Sequence, residues 1–223
     1  TPIKSSAASD VYKRQLAPYA KEGECELRIT AKAADEGAAH ALIDPVEADL
    51  RAHFGPLVYG VDVPSLEAVA FALLKEKGLT LGTAESCTGG LVAKRMTDLA
   101  GVSSVFRGGV VSYATEVKHT VLGVDQDLLD RYGAVSQPVA QAMAQGARRV
   151  LGCDLAISTT GVAGPDPDER GNPVGLVFIG LATPEGTWVR QVHLSMGRER
   201  IRHIAASHGF DLVRRYLSGL EMK

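Results

Sequence analysis

Between Thr80 and Asp98 a short apolar run stops at Glu85-Ser86-Cys87-Thr88-Gly89-Gly90, and apolar residues resume at helical spacing through Leu91, Val92 and Met96. This is the pattern of a strand, a tight turn and a helix. A strand that feeds directly into a helix is the unit from which layered α/β folds are built. The turn leaves Ser86 accessible. Its small residues and glycine pair let a ligand approach the backbone, while the free N–H groups and positive dipole end of the following helix suit an anion or an oxyanion. The same residues also fit an ordinary strand-to-helix turn with Ser or Thr as its N-cap.

The chain around this corner alternates. Leu66, Val69, Ala70, Leu73 and Leu74 follow helical spacing, with Ser65 before them and Gly78 placed as a C-terminal cap. Phe106 to Tyr113 reads as a strand and Glu116 to Leu122 as a helical segment. Gln137 to Leu151 is a clear helix, with Pro138 near its start and Val139, Met143, Ala147 and Val150 on one face. Asp154 to Thr160 reads as a buried strand that stops where the Gly161–Asp166 loop begins. Leu176 to Ala182 and Trp188 to Leu194 flank the hairpin turn Thr183 to Thr187, and Glu199 to Leu217 closes the chain as an amphipathic helix. The expected fold is α/β, a three-layer sandwich around a mixed sheet, with a small partial α+β unit before it.

That N-terminal unit is expected over residues 16–62. Cys25, Leu27, Ile29 and Ala31 alternate with polar residues as in a half-buried strand; a helix with an apolar stripe from Ala38 to Leu50 follows, kinked or restarted at Pro45; Leu57 to Val61 reads as a second strand. A βαβ-like piece of this size is small for an independent fold and reads as part of a larger neighbour. Residues 1–15 are polar, lack periodicity and start at Thr, so they are read as disordered or of processed, truncated or vector-derived origin. The domain from residue 63 to 223 carries the chemistry.

Charge and cysteine content narrow the function. With 24 Lys and Arg against 26 Asp and Glu, no global basic field recruits nucleic acid or a membrane surface. An RNA-binding KH-type role for the first unit lacks the Gly-x-x-Gly clamp such a module needs. Cys25, Cys87 and Cys153 are few and without metal-ligand spacing, which implies neither a disulfide framework nor a metal site and suits a reducing compartment. With no membrane-length apolar run and no signal-peptide core, the expected location is cytoplasmic.

Three polar clusters end predicted strands: Glu85 to Gly90, Tyr113 with Lys118, and Thr160 to Asp166. In α/β sheets the ligand crevice lies at strand ends, so these loops are expected to share one site. The six histidines lack an Asp partner pattern and read as surface or packing residues. A serine nucleophile without histidine needs another base, and a lysine neutralised by burial is one. Lys118 is the best-placed lysine.

The runs Ala84 to Gly90, Gly108 to Tyr113, Lys118, Gly133 to Ser136 and Thr160 to Pro165 resemble the C-terminal domain of the CinA (competence/damage-inducible) family over about Leu66 to Tyr216. Residues 16–62 resemble part of the KH-like linker that precedes it in long members, whose N-terminal nucleotide-hydrolase domain is not in this sequence. The resemblance implies a nicotinamide mononucleotide amidase that releases ammonia without metal or other cofactor. It implies Ser86 as nucleophile, Lys118 as base and Tyr113 beside them, orienting or relaying through its hydroxyl. Glu85, Cys87, Thr88, Gly89 and Gly90 are expected to contact substrate, with backbone N–H groups of Cys87 to Gly90 holding the oxyanion. Gly161, Val162, Ala163, Gly164 and Pro165 are assigned to substrate contact too. Arg198 is a phosphate candidate, although this chain has Met196-Gly197-Arg198 where the family pattern is Gly-Asp-Arg. The partners implied are a small nucleotide and a second copy in a homodimer, with no nucleic acid and no membrane. Two other readings stay open: a Cys87 thiolate nucleophile, and a non-catalytic partner-binding domain linked to competence or recombination.

Overall fold

A computed structural model describes residues 14–222 of the chain, which divides into two compact units, one ending at Val61 and one starting at Asp62. The expectation for residues 1–15 lies outside the described residues except at Arg14 and Gln15, which open a strand and so correct it there.

In the first unit, β1 (Arg14–Lys21) and β2 (Glu24–Ala31) form an antiparallel hairpin around Gly23, whose φ of 78° suits a tight turn. The helix α1 (Glu36–Phe54) packs on β2; Asp35 caps it by accepting from the Ala38 N–H at 2.8 Å. Two expectations need correction. Pro45 sits inside α1 without ending or restarting it. Leu57 to Val61 is not a strand: Gly55–Leu57 is a 3-10 turn, and the segment after it reaches back through a Tyr59 hydroxyl bond to Glu24. The unit is ββα rather than βαβ, because β2 takes its partner from the residues before it. No residue of α1 is fully buried, as expected of a piece this small.

The second unit is built on a five-stranded mixed sheet. Its strands are β3 (Leu81–Glu85), β4 (Phe106–Val111), β5 (Leu155–Gly161), β6 (Leu176–Ala182) and β7 (Thr187–His193), in the order β4-β3-β5-β6-β7. The first three are parallel, while β6 and β7 run antiparallel to their neighbours. The helices are α2 (Leu66–Lys77), α3 (Leu91–Thr97), α4 (Thr115–Thr120), α5 (Gln126–Tyr132), α6 (Gln137–Leu151) and α7 (Arg198–Leu217). Ser65 and Gly78 cap α2 as expected, the glycine with φ 64°.

Alternation along β5 separates the layers. Ser158 points to α6, where its hydroxyl donates to the Ala140 carbonyl at 2.6 Å, whereas Ile157 faces Gly209 of α7. On the α6 side Ala84, Leu122, Val124, Leu129, Val139, Met143, Ala147 and Ala156 form one buried cluster; Leu74, Met96, Ile201 and Phe210 are buried with α2, α3 and α7. Burying each of the larger of these side chains stabilises the fold by about 1.5–3 kcal/mol. Because β3, β4 and β5 are parallel, their carboxyl ends meet at one edge, and Ser86, Ser112-Tyr113 and Val162 onward leave the sheet together. Among the described residues, no helix is long and apolar enough to cross a membrane.

Candidate active site

Ser86 follows the last residue of β3. Its N–H still donates to the Thr159 carbonyl at 2.9 Å, so the sheet fixes it before the chain turns. Gly89 and Gly90 then adopt φ of 59° and 92°, which a residue with a side chain rarely adopts, and α3 begins at Leu91. The turn closes through Gly89 N–H to the Ser86 carbonyl and Leu91 N–H to the Thr88 carbonyl.

Lys118 comes to this serine from α4. It is only 1% exposed, and its Nζ lies 3.1 Å from Ser86 Oγ, 2.6 Å from the Ser112 carbonyl and 3.3 Å from the Tyr113 carbonyl. No carboxylate pairs with it among the described residues. Burial therefore dominates and lowers its pKa from 10.5 to about 8. At pH 7 roughly a tenth of such lysines are neutral. A neutral amine has two N–H donors and one lone pair. The two carbonyls match the donors, which leaves the lone pair for the Ser86 hydroxyl.

Glu85, expected at the substrate, is instead an internal brace. Its buried carboxylate accepts from the Val92 and Ala93 N–H groups at 2.9 and 2.8 Å and from the Thr88 and Thr83 hydroxyls at 2.7 and 3.3 Å. It thus fills the N-terminus of α3 that the sequence left open to an external anion. Replacing Glu85 with alanine orphans two N–H groups and the Thr83 hydroxyl, while Thr88 keeps its bond to Thr159; we expect a loss of on the order of 3 kcal/mol or more in stability, read by chemical denaturation.

The other expected contacts divide in the same way. The Thr88 side chain is fully buried against Glu85 and Thr159, so only its backbone can face a ligand. Cys87 is 5% exposed, and burial pushes its thiol up to about 11, which makes it a poor nucleophile. Val162 bonds Leu176 and Gly175 through its N–H and carbonyl, and Ala163 is buried beside it. At Gly161 a Cβ would lie 2.7 Å from the Leu176 carbonyl oxygen, so this glycine serves sheet packing. Gly89 and Pro165 are exposed, and Gly90 and Gly164 are half-buried. Arg198 joins the loops: its guanidinium donates to the Gly164 carbonyl at 2.6 Å and to the Tyr113 hydroxyl at 3.3 Å. Tyr113 therefore meets Lys118 through its carbonyl, while its hydroxyl bonds Arg198 and the residue is 62% exposed. His119 bonds the Val124 carbonyl, and His208 lies against Arg190; among the described residues neither side chain hydrogen-bonds Ser86 or Lys118.

One residue escaped the sequence reading. Arg202 of α7 donates from Nε to the Cys87 carbonyl at 3.1 Å and from Nη2 to the Thr88 carbonyl at 2.7 Å. Nothing in its spacing separates it from the other arginines of this helix.

Comparison with known proteins shows the family. The model of the CinA C-terminal domain matches residues 63–217, and that of the damage-inducible protein CinA KH domain matches residues 6–60. A CinA-like protein of Frankia casuarinae is 52% identical over 206 residues, covering 92% of this chain and 47% of that protein. One from Kosmotoga olearia is 46% identical over 202 residues, covering 91% and 49%. The chain thus spans about half the length of these curated relatives. Among solved structures, the competence damage-inducible protein A of Klebsiella pneumoniae superposes with a TM-score of 0.68 at 30% identity, over 70% of this chain and 97% of that one. A competence/damage inducible protein of Agrobacterium tumefaciens gives 0.65 at 32%, over 71% and 99%. With a family model matched across the whole sheet and a second matched before it, this chain belongs to the CinA family.

Proposed function

We propose that the second unit hydrolyses the carboxamide of nicotinamide mononucleotide to the acid and ammonia by a serine–lysine mechanism. The observation that carries this reading is the buried Lys118 amine 3.1 Å from Ser86 Oγ, with two carbonyls for its protons and, among the described residues, no carboxylate to keep it charged. Neutral Lys118 takes the Ser86 proton as Oγ bonds to the amide carbon, then returns it to the nitrogen as the C–N bond breaks and ammonia leaves. Water attacks the acyl-serine, gives its proton to Lys118 and releases the acid, and that proton restores Ser86. Arg198, bonded to Gly164 and Tyr113, supports the choice of an anionic substrate, and the exposed Tyr113 offers its ring to a pyridinium cation.

The test is incubation of the purified protein with nicotinamide mononucleotide, following ammonia and the acid together. Equal amounts of both are expected. The Cys87→Ala variant should keep its rate within about tenfold, since it retains the backbone N–H that an oxyanion would use. Absence of ammonia release from a folded protein would leave the partner-binding reading in its place.

A further inference from the structure

The backbone donors around Ser86 can be accounted for one by one. Ser86 N–H is taken by Thr159, Gly89 N–H by the Ser86 carbonyl, Leu91 N–H by the Thr88 carbonyl, and Val92 and Ala93 N–H by Glu85. Among the described residues, the N–H groups of Thr88 and Gly90 make no hydrogen bond within the protein. In a trans peptide the N–H points opposite to the carbonyl it is joined to. The Cys87 carbonyl and the Thr88 N–H share one peptide, and Arg202 holds that carbonyl. The Thr88 N–H is therefore turned to the side away from the guanidinium. The second contact, to the Thr88 carbonyl, fixes the next peptide.

We propose that Arg202 is a positioning residue of the acyl-transfer site: its guanidinium clamps two successive carbonyls of the nucleophile turn and thereby holds the Thr88 N–H as an oxyanion donor. The inference rests on the serine–lysine reading above. Arg202 contacts neither Ser86 nor Lys118, and among the described residues no carboxylate forms an ion pair with it. Its fork matches two adjacent oxygens, which the single ammonium of lysine does not. Removing one oxyanion donor typically costs about a hundredfold to a thousandfold in turnover.

The experiment compares wild type with Arg202→Ala and Arg202→Lys in two assays. In the first, with nicotinamide mononucleotide, kcat of Arg202→Ala should fall by about a hundredfold while KM stays within about threefold, and Arg202→Lys should recover only part of the loss. In the second, a fluorophosphonate labels Ser86 directly: the Oγ–P bond forms, fluoride leaves and the proton passes to Lys118. Labelling of Arg202→Ala should slow at least tenfold, with the pH midpoint of labelling unchanged because Lys118 keeps its buried surroundings. Guanidinium ion added to Arg202→Ala should restore part of the rate. Turnover or labelling within threefold of wild type, a loss confined to KM, or a pH midpoint that moves with the substitution would each overturn the proposal. Should Arg202→Ala fail to fold, Arg202→Lys decides, since full activity in it excludes a role for the fork. A wild type that labels at Ser86 yet leaves the nucleotide intact overturns only the substrate reading, and the labelling comparison still tests Arg202.

Discussion

Ser86→Ala is expected to lower nicotinamide mononucleotide hydrolysis by about four to six orders of magnitude, the scale seen when a serine nucleophile is removed. Binding should survive. Alanine deletes one hydroxyl from a turn whose shape is set elsewhere: by the sheet bond from Ser86 N–H to Thr159, by Glu85 beneath α3 and by the Gly89-Gly90 pair. Calorimetry should therefore give a dissociation constant close to the wild-type KM where chemistry is slow, while ammonia release vanishes. The neighbouring thiol is no substitute. Burial holds Cys87 near 11, so thiolate is scarce at any pH where the protein works. An active Ser86→Ala enzyme beside a dead Cys87→Ala enzyme would transfer the nucleophile role to sulfur.

Lys118→Met should cost about two to four orders of magnitude in turnover, the usual contribution of a general base. Methionine keeps most of the stem volume and fills the same buried slot on α4, so the fold should persist. The variant also reports on the cost of the native lysine. Lys118 titrates at about 8 in the folded chain against 10.5 when unfolded. Between those values the unfolded state binds more protons, so wild-type stability rises with pH there. The penalty is full below pH 8 and is relieved as the pH climbs toward 10.5. Relative to Lys118→Met, which has no such group, the wild type should gain on the order of 3 kcal/mol across that window. Denaturation of the pair at several pH values measures it.

Much of the second unit was legible because its elements announce themselves locally. The apolar face of α6 and the fully apolar β6 need no partner information, and Gln137–Leu151 and Leu176–Ala182 match the sequence reading residue for residue. Elements defined by their partners were harder. The strand β1 was missed because Pro18 argues against a strand and only its place at a sheet edge permits it. Leu57 to Val61 looks like a strand but finds no ladder to join. The short α5 has only two turns and passed unnoticed.

The site divides in the same manner. The sequence placed Ser86 at an exposed strand-to-helix corner, and family resemblance paired it with Lys118. The 3.1 Å contact between them is a tertiary fact that neither segment carries alone. Glu85 was misjudged because a carboxylate at the corner can face out to a ligand or fold back under α3, and the chain chooses the second by reaching Val92 and Ala93, seven and eight residues on. Arg202 could not be found at all, since its contacts join residues 115 and 114 positions apart.

The most direct test of the serine–lysine account is the pH dependence of kcat/KM for the wild type between about pH 7 and 10, a range above the substrate phosphate titration. The account expects a rise to a plateau with its midpoint near 8, where burial places Lys118. A flat profile across that range, or a rise already about three-quarters complete at pH 7 as for an ordinary histidine of pKa about 6.5, would contradict it.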